Sequence, residues 1–375
     1  TGVTPRALRD VPAARLSYRL EPDVSPDVLP ESIRNEAVRE PLASVKADFE
    51  NRRKEEALVA TVVSPDGQRA LALYDPGDIS EDEFKLDLYS ADGRFLRNVL
   101  PANLSGVSAL AVNWSPDGQW IAFVGRRPSL AVQPSPTPQI DLPPDASTAP
   151  VTTPGAAAGS APAATIAPII APVASYATEQ IYVCDRDGYN LRPLTARDGL
   201  VYFHTAWSPD GTALAALACK EAELTARLNE NRPLAGRPRI IERDGSGERL
   251  LDDRLMDAFP VWSPDAAKVA TAEGSNVYIY DADGGPPTAA RLPLRELLLD
   301  ASAKYDAAQA SRRGSGGETP LSFNPAIRLE WVQPEVLLLQ TGFVRIYQNN
   351  ETVSRYLRWH VLHLSPQAAV LNSRQ

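Results

Sequence analysis

The sequence predicts an all-β fold, a β-propeller built from four-stranded antiparallel blades. Three observations predict it: a word that begins Ser-Pro-Asp occurs four times, an apolar run of strand length follows each copy, and a second word containing Asp-Gly follows further along. A propeller commonly uses a chain of 375 residues as one domain, so the length does not require a split.

The first word predicts a tight turn between two strands. Its Ser suits the first turn position, Pro presets φ at the second, and Gly adopts the left-handed conformation that closes the hairpin. Trp114, Trp207 and Trp262 precede three of the copies, and residues 331–335 form a divergent fifth copy. Ala266 replaces Gly in the fourth copy, where a retained turn would cost about 1 kcal/mol. The copies are Ser64-Pro65-Asp66-Gly67, Ser115-Pro116-Asp117-Gly118, Ser208-Pro209-Asp210-Gly211 and Ser263-Pro264-Asp265-Ala266.

The second word predicts another hairpin in each repeat. It follows a strand-like run at residues 91–93, 186–188, 243–245 and 282–284. Two hairpins per repeat make a four-stranded blade. Five repeats are recognisable over residues 57–375, and a sixth blade would have to draw on the N-terminal extension 1–56. An N-terminal strand beside C-terminal strands would hide the last sheet edge, so we expect six blades, with five as the alternative.

These words together resemble the repeat of the TolB-like, WD40-like (PD40) propeller family. The resemblance covers residues 57–375 and implies a propeller fold, whereas a fold alone does not fix a function. TolB itself carries a sizeable α/β domain before its propeller, and only about 56 residues precede the repeats here. The chain is therefore not expected to be TolB.

The spacing between the two words predicts that insertions collect on one face. The fourth repeat has the shortest spacing, and the others insert residues 75–83, 126–178 and 220–236 between the second and third strands. A further insertion at about 294–324, helical and then Gly/Ser-rich, follows the fourth blade. All these connections share one face of an antiparallel propeller. Because loops commonly carry binding, we expect this face to bind partners, while the alternative is that the loops only tolerate drift.

The longest insertion is rich in Pro, Ala and Thr. Such a composition cannot bury enough apolar surface to fold alone. It is typical of an extracytoplasmic linker or an arm donated to a neighbouring protein. The candidate partner-binding residues in it are Pro134, Pro136, Pro138, Pro143, Pro144, Ile169 and Ile170.

No constellation of residues predicts catalysis, a metal site or a cofactor. The chain has three histidines, and His360 and His363 lie three apart on a predicted strand, hence on opposite faces. His204 lies on an inner strand, where a structural role is favoured and lining the pore is the alternative. Asp-x-Asp-Gly pieces at 185–188 and 281–284 lack the later ligands of a calcium loop. We therefore expect a chain that is not an enzyme. The alternative is a propeller glycoside or ester hydrolase or lyase with a site in the central channel, because a pair of carboxylates among 47 acidic residues cannot be recognised from sequence.

Charge and composition favour a binding subunit outside the cytoplasm. The net charge of −9 argues against nucleic-acid binding, which needs a basic face. No apolar run is long enough to span a bilayer, although an export signal or lipid anchor could precede Thr1. Cys184 and Cys219 could pair in an exported chain, and two buried thiols are favoured. The sequence thus predicts a bacterial periplasmic or cell-surface subunit that binds proteins, as part of an envelope or surface assembly.

Overall fold

A computed structural model describes residues 7–34, 41–77, 82–126, 179–197, 199–284, 288–313, 321–346 and 352–367. The chain divides into two compact units, of which the smaller, residues 129–177, lies wholly outside the described residues. The candidate partner-binding prolines and isoleucines of the Pro-rich insertion therefore lie outside them too. The description below concerns the larger unit, residues 1–128 and 178–375.

The N-terminal extension combines one strand with short helices. Two 3-10 helices lead into the strand and a third follows it. The elements are β1 (Leu16–Glu21), α1 (Glu31–Arg34) and α2 (Ala43–Arg52). Asp23, two residues after the end of β1, has a φ of 56°.

Sheets 1 and 2 follow the extension. Sheet 1 contains β2 (Ala57–Val63), β3 (Arg69–Asp75), β4 (Glu83–Ser90) and β5 (Phe95–Asn98). The first strand of sheet 2 is in two pieces, β6 (Ser105–Val107) and β7 (Asn113–Trp114), which a 3-10 helix separates. The other strands of the sheet are β8 (Trp120–Arg126), β9 (Glu179–Asp185) and β10 (Arg192–Pro193). Pairing of β4 with β6 joins the two sheets.

Sheets 3 and 4 are regular four-stranded meanders. Sheet 3 contains β11 (Leu200–Trp207), β12 (Ala213–Lys220), then α3 (Glu221–Asn229), β13 (Arg237–Glu242) and β14 (Glu248–Leu250). Sheet 4 contains β15 (Val261–Trp262), β16 (Lys268–Glu273), β17 (Asn276–Asp281) and β18 (Ala289–Pro293).

Sheet 5 is completed by the N-terminal strand. After α4 (Arg295–Arg313) come β19 (Leu321–Phe323), β20 (Ala326–Gln333), β21 (Val336–Ile346) and β22 (Thr352–Pro366). The strand β1 pairs antiparallel with the end of β22, from Leu16 opposite Pro366 to Glu21 opposite Val361. The order is therefore β20, β21, β22, β1, with β19 added beside β21.

The fold is a β-propeller, as predicted, with the first strand of each sheet innermost. The Asp-Gly hairpins lie beside the Ser-Pro-Asp turns, since Ala91 N–H donates to Gln68 O and Arg243 N–H to Thr212 O. These turns define the turn face. On the opposite side, α3 and the hairpin at 274–275 lie beside the connections between sheets, as in the bond from Ala326 N–H to Gly274 O. This side is the insertion face.

Each pair of consecutive sheets shares an apolar core, but sheets 1 and 5 share none among the described residues. The second face of sheet 1 is covered by α2, which buries Val45 and Phe49 against it. The second face of sheet 5 is covered by residues 24–33, including the buried Leu29. Two segments of the N-terminal extension thus cover the second faces of sheets 1 and 5.

The number of blades, expected to be six or five, is not confirmed: the described residues form two four-stranded sheets, a five-stranded sheet, and a nine-stranded sheet that comprises sheets 1 and 2. The N-terminal extension supplies one strand to sheet 5, and most of its remaining described length forms short helices.

Candidate functional site

Each Ser-Pro-Asp turn is fixed by the same set of hydrogen bonds. In the first turn, Ser64 Oγ donates to Asp66 Oδ1 over 2.6 Å and accepts from Arg69 N–H over 2.9 Å. Asp66 Oδ1 also accepts from Gln68 N–H over 3.0 Å. These bonds lower the pKa of Asp66 to about 2. The turns beginning at Ser115, Ser208 and Ser263 repeat the arrangement. The words are therefore structural turns, and their carboxylates are already engaged.

The Trp of each word ties its sheet to the preceding one. Indole Nε1–H of Trp114 donates to Val62 O, that of Trp207 to Asn113 O and that of Trp262 to Ala206 O, over 3.0, 3.3 and 3.0 Å. All three acceptors stand two residues before the Ser of their own word. The divergent Trp331 instead donates to Pro334 O within its own turn.

Irregularities in the inner strands expose apolar side chains on the insertion face. A register shift brackets Val59 in β2 and another brackets Ile327 in β20. Leu110 stands in the 3-10 helix that interrupts the first strand of sheet 2, and Phe259 precedes β15. Their exposed fractions are 50% for Val59, 41% for Ile327, 73% for Leu110 and 40% for Phe259. We call these four residues the apolar mouth, because the inner strands of a propeller surround its central channel.

His204 adds an aromatic stack beside the apolar mouth. It stands in the bulge of β11 with a φ of 55°, an uncommon conformation for a residue with a side chain. Its ring lies 3.6 Å from the ring centre of Phe259 and 4.9 Å from that of Phe203. Burial lowers the pKa of His204 to about 4, so the ring is neutral near pH 7. A neutral, stacked ring fits the structural role predicted for His204.

The other two histidines occupy opposite faces of β22, as the sequence analysis predicts. His360 is fully buried: its Nδ1 accepts from Asp23 N–H over 3.1 Å, so the proton is on Nε2, which donates to Thr341 Oγ1 over 2.9 Å. His363 contacts Glu21 at the surface. Nearby, Arg358 pairs with Asp23 and donates to Ser302 Oγ of α4 over 2.8 Å. Within the described ranges, no group of three or more His, Cys, Asp or Glu is placed to hold a metal ion.

The two cysteines are buried and unbridged. Cys184 packs in the core between sheets 1 and 2, and Cys219 in the core between sheets 3 and 4. Burial raises the pKa of Cys184 to about 12 and that of Cys219 to about 11. Both thiols therefore remain protonated near pH 7 and behave as apolar side chains.

The turn face holds several pockets, and two of them include residues of the Ser-Pro-Asp turns. One of about 370 Å³ lies between sheets 3 and 4, lined by Arg9 and by the turns that contain Asp210 and Asp265. The other, of about 450 Å³, lies along the inner strand of sheet 1. Neither the bulges nor these two pockets were predicted from the sequence. One signal was present in it: the first Ser-Pro-Asp word lacks the Trp that precedes the other three.

The class of protein that this arrangement defines is a β-propeller, and solved structures provide distant similarities. No protein-family model matches the chain, and no curated protein matches its sequence. A structure assigned provisionally to TolB from Agrobacterium tumefaciens is 14% identical with a TM-score of 0.34, covering 82% of this chain and 74% of that one. Oligogalacturonate lyase from Vibrio parahaemolyticus is 9% identical with a TM-score of 0.42, covering 83% and 66%. Prolyl oligopeptidase B from Galerina marginata is 10% identical with a TM-score of 0.42, covering 93% and 45%.

The expectation that the chain is not an enzyme is contradicted, because two of these three similar structures are enzymes. Identities of 9–14% extend to the fold alone. The chain spans about two thirds of the lyase and less than half of the oligopeptidase. Among the described helices, none combines the length and apolar character needed to cross a bilayer.

Proposed function

We propose that the chain is a protein-binding propeller whose partner docks on the insertion face, over the apolar mouth. The proposal rests on one observation, the distribution of large apolar side chains that are exposed to solvent. Among the described residues, those on the insertion side are Val59, Leu110, Leu228, Phe259, Leu297, Ile327 and Leu357. Of the remaining four, Val63 and Tyr189 lie at the turn side, Leu250 on an outer strand and Val28 in the N-terminal extension.

The physical reason is that apolar side chains held at a surface gain free energy when a partner covers them. Burial contributes about 25 cal/mol for each Å² of apolar surface removed from water. Grouped apolar residues rimmed by charges are typical of protein interaction sites. One cluster of charges lies at this face, where Arg126 at the end of β8 pairs with Asp82, Glu83 and Glu179.

We also propose a location outside the cytoplasm for this protein and its membership of a repeat family. The Trp-Ser-Pro-Asp-Gly words support membership of the TolB-like, WD40-like repeat family. The Pro, Ala and Thr-rich insertion supports a periplasmic or cell-surface location, as part of a multi-subunit envelope assembly. The prolines and isoleucines singled out in that insertion remain candidate partner contacts.

Site-specific crosslinking tests the docking face. A photoreactive amino acid at Leu110 should trap a protein of defined mass in the native extract, whereas the same residue at Tyr189 on the turn face should not. With the trapped protein purified, Leu110→Asp should weaken its binding at least tenfold, since a carboxylate would be desolvated in the interface.

A matched control is Leu250→Asp on the outer strand of sheet 3, where Leu250 is 39% exposed. This variant should bind the partner as the parent does. Equal weakening by both variants would contradict the proposal. So would a native mass measurement showing a lone monomer in the extract of the producing cell.

A further inference from the structure

The strand β22 extends well beyond the strand that covers its outer side. It has 15 residues, and β1 pairs only with its last six, from Val361 to Pro366. Among the described strands, only β1 and β21 pair with β22, so residues 352–358 have a neighbouring strand on one side alone. We call residues 352–358 the open edge. It lies at the insertion face, because the hairpin from β21 to β22 joins the second and third strands of its sheet, as α3 does in sheet 3.

The outer strands of the other sheets leave shorter edges. The strands β5, β10, β14 and β18 have four, two, three and five residues. An uncovered edge presents backbone N–H and C=O groups to which another strand can bind, and short edge strands are one way in which proteins limit such binding. The open edge of β22 is longer than any of these four strands, which favours it as the place where a strand is added.

The backbone of Leu357 points out of the open edge. Leu357 stands opposite Gly342 of β21, and Gly342 N–H donates to Pro325 O, on the far side of β21, over 3.0 Å. Two opposite residues of an antiparallel pair either bond to each other or both direct their backbone groups away. The N–H and C=O of Leu357 therefore face away from β21. Two residues further on, Trp359 O accepts from Val24 N–H over 2.9 Å on this same outer side.

The side chain of Leu357 continues the apolar mouth. Opposite residues of two paired strands have their side chains on the same face of the sheet. A Cβ at Gly342 would lie 3.4 Å from Cγ2 of Ile327, so Leu357 and Ile327 share that face. They are 64% and 41% exposed, and Gly342 between them has no side chain. An apolar row therefore runs from the mouth to the open edge.

We propose that the partner binds by β-strand addition: an extended segment of it pairs with the open edge and places an apolar side chain over Leu357. This inference rests on the proposed function, because it names the part of the same partner that is recognised. In this mode of binding, main-chain hydrogen bonds give affinity and alternate side chains give specificity.

Charge favours a partner segment over a second copy of this chain. The open edge contains Arg355 and Arg358 and no carboxylate. Two copies that paired edge to edge would bring like charges together, which destabilises a strand pair. A segment in which apolar residues alternate with carboxylates would instead cover Leu357 and attract the arginines.

Titration of the full chain with the peptide acetyl-Glu-Val-Glu-Val-Glu-Val-amide, followed by NMR of the backbone amides, tests the proposal. Saturable shifts of the Arg355 and Leu357 amides are expected. Exchange of the Leu357 N–H with solvent should slow by about tenfold at saturation, because that group becomes hydrogen-bonded. The matched control is the same peptide N-methylated at its valines, which keeps the side chains and loses the donors that face β22. Equal binding of the two peptides, or no saturable shift, would overturn the proposal.

Two variants of the chain examine the same bond from the other side. Leu357→Pro removes the outward N–H and spares the ladder to β21, since proline is tolerated where the N–H faces away from a sheet. It should bind the peptide about tenfold more weakly than Leu357→Ala, which keeps the N–H and also lacks the leucine side chain. Equal affinities of these two folded variants would contradict strand addition. If the proline disturbs folding, the N-methylated peptide decides the question without a substitution.

Failure of this inference is distinguishable from failure of the proposed docking. Crosslinking at Leu110 without peptide binding would refute strand addition alone. Peptide binding without crosslinking at Leu110 would refute docking over the apolar mouth and leave the open edge as a strand-binding site. Slow exchange of the Leu357 N–H in the free chain would also refute strand addition by a partner, because another segment of this chain or a second copy would already cover the edge.

Discussion

Ala266 shows how far a single residue can depart from a repeat without changing its turn. It has a φ of 58°, close to the 66–68° of Gly67, Gly118 and Gly211, and its N–H donates to Ser263 O over 2.9 Å as glycine does elsewhere. The turn is therefore kept, and the side chain is held in the left-handed region, where a Cβ approaches the following carbonyl.

Restoring glycine at this position should stabilise the protein. Ala266→Gly is expected to raise the free energy of unfolding by about 0.5–1 kcal/mol, measured by urea denaturation, because the relief of backbone strain exceeds the extra chain entropy of glycine.

The reverse change, Gly211→Ala, is the matched control and should lower the free energy of unfolding by a similar amount. A Cβ at Gly211 would meet its nearest side-chain atom at 3.8 Å, an ordinary contact, so only backbone strain distinguishes the two. A destabilised Ala266→Gly protein would show that Ala266 is not strained.

At the scale of elements, α2 is held on sheet 1 by charge as well as by apolar packing. Asp87 is fully buried in β4 and accepts from Arg53 Nε–H over 3.0 Å. The guanidinium of Arg53 also lies over the ring of Tyr74, and that of Arg52 over Phe95. Burial raises the pKa of Asp87, although both arginines oppose this, and Arg53 has a raised pKa because of its pairing with Asp87.

Removing the buried carboxylate should loosen α2 selectively. In the Asp87→Asn variant, Arg53 keeps its pairing with Glu56 but loses the buried carboxylate of Asp87, at a cost of about 1–3 kcal/mol. Hydrogen exchange should therefore accelerate in residues 43–52 and stay unchanged in β12. The exposed pair Lys46–Glu50 provides the control, since Glu50→Gln should change stability by less than about 0.5 kcal/mol. Equal acceleration in β12 would mean that the helix does not open by itself.

For the whole molecule, His360 makes stability depend on pH. Burial lowers its pKa from 6.5 to about 4, whereas the unfolded chain takes up the proton near pH 6.5. Its contribution is complete above pH 6.5 and is lost as the pH falls towards 4. Within that window the free energy of unfolding should fall by about 1.4 kcal/mol per pH unit for each such histidine.

Urea titrations at pH 7, 6 and 5 measure this slope. The His360→Gln variant should be less stable than the parent at pH 7 and should show a shallower slope, because one of the two groups with this shift is gone; the other is His204. An unchanged slope would mean that His360 is not the titrating group.

The sequence predicted the parts of the fold that depend on local chemistry. The turn at Ser64 is held by hydrogen bonds among its own residues, so it can be predicted from its short motif. The positions of the insertions were predicted from the spacing of such motifs. The bulge at Val59 and the covering of sheet 1 by α2 depend on contacts between distant segments, which no short pattern encodes. The exposed apolar mouth was therefore missed, and so was the covering of sheet 1 by α2.

The pairing of β1 with β22 also sets an order of events during synthesis. Ser17 pairs with Ser365, so the edge of β1 stays bare until β22 has been made. Sheets 2, 3 and 4 can each dock on the sheet made before, through the indole bonds of Trp114, Trp207 and Trp262. Pairing of β1 with β22 closes a loop of more than 300 residues, as the positions of Ser17 and Ser365 show, and therefore carries a large loop-closure cost. Until that step the uncovered edge of β1 is a site at which two incomplete chains could pair with each other.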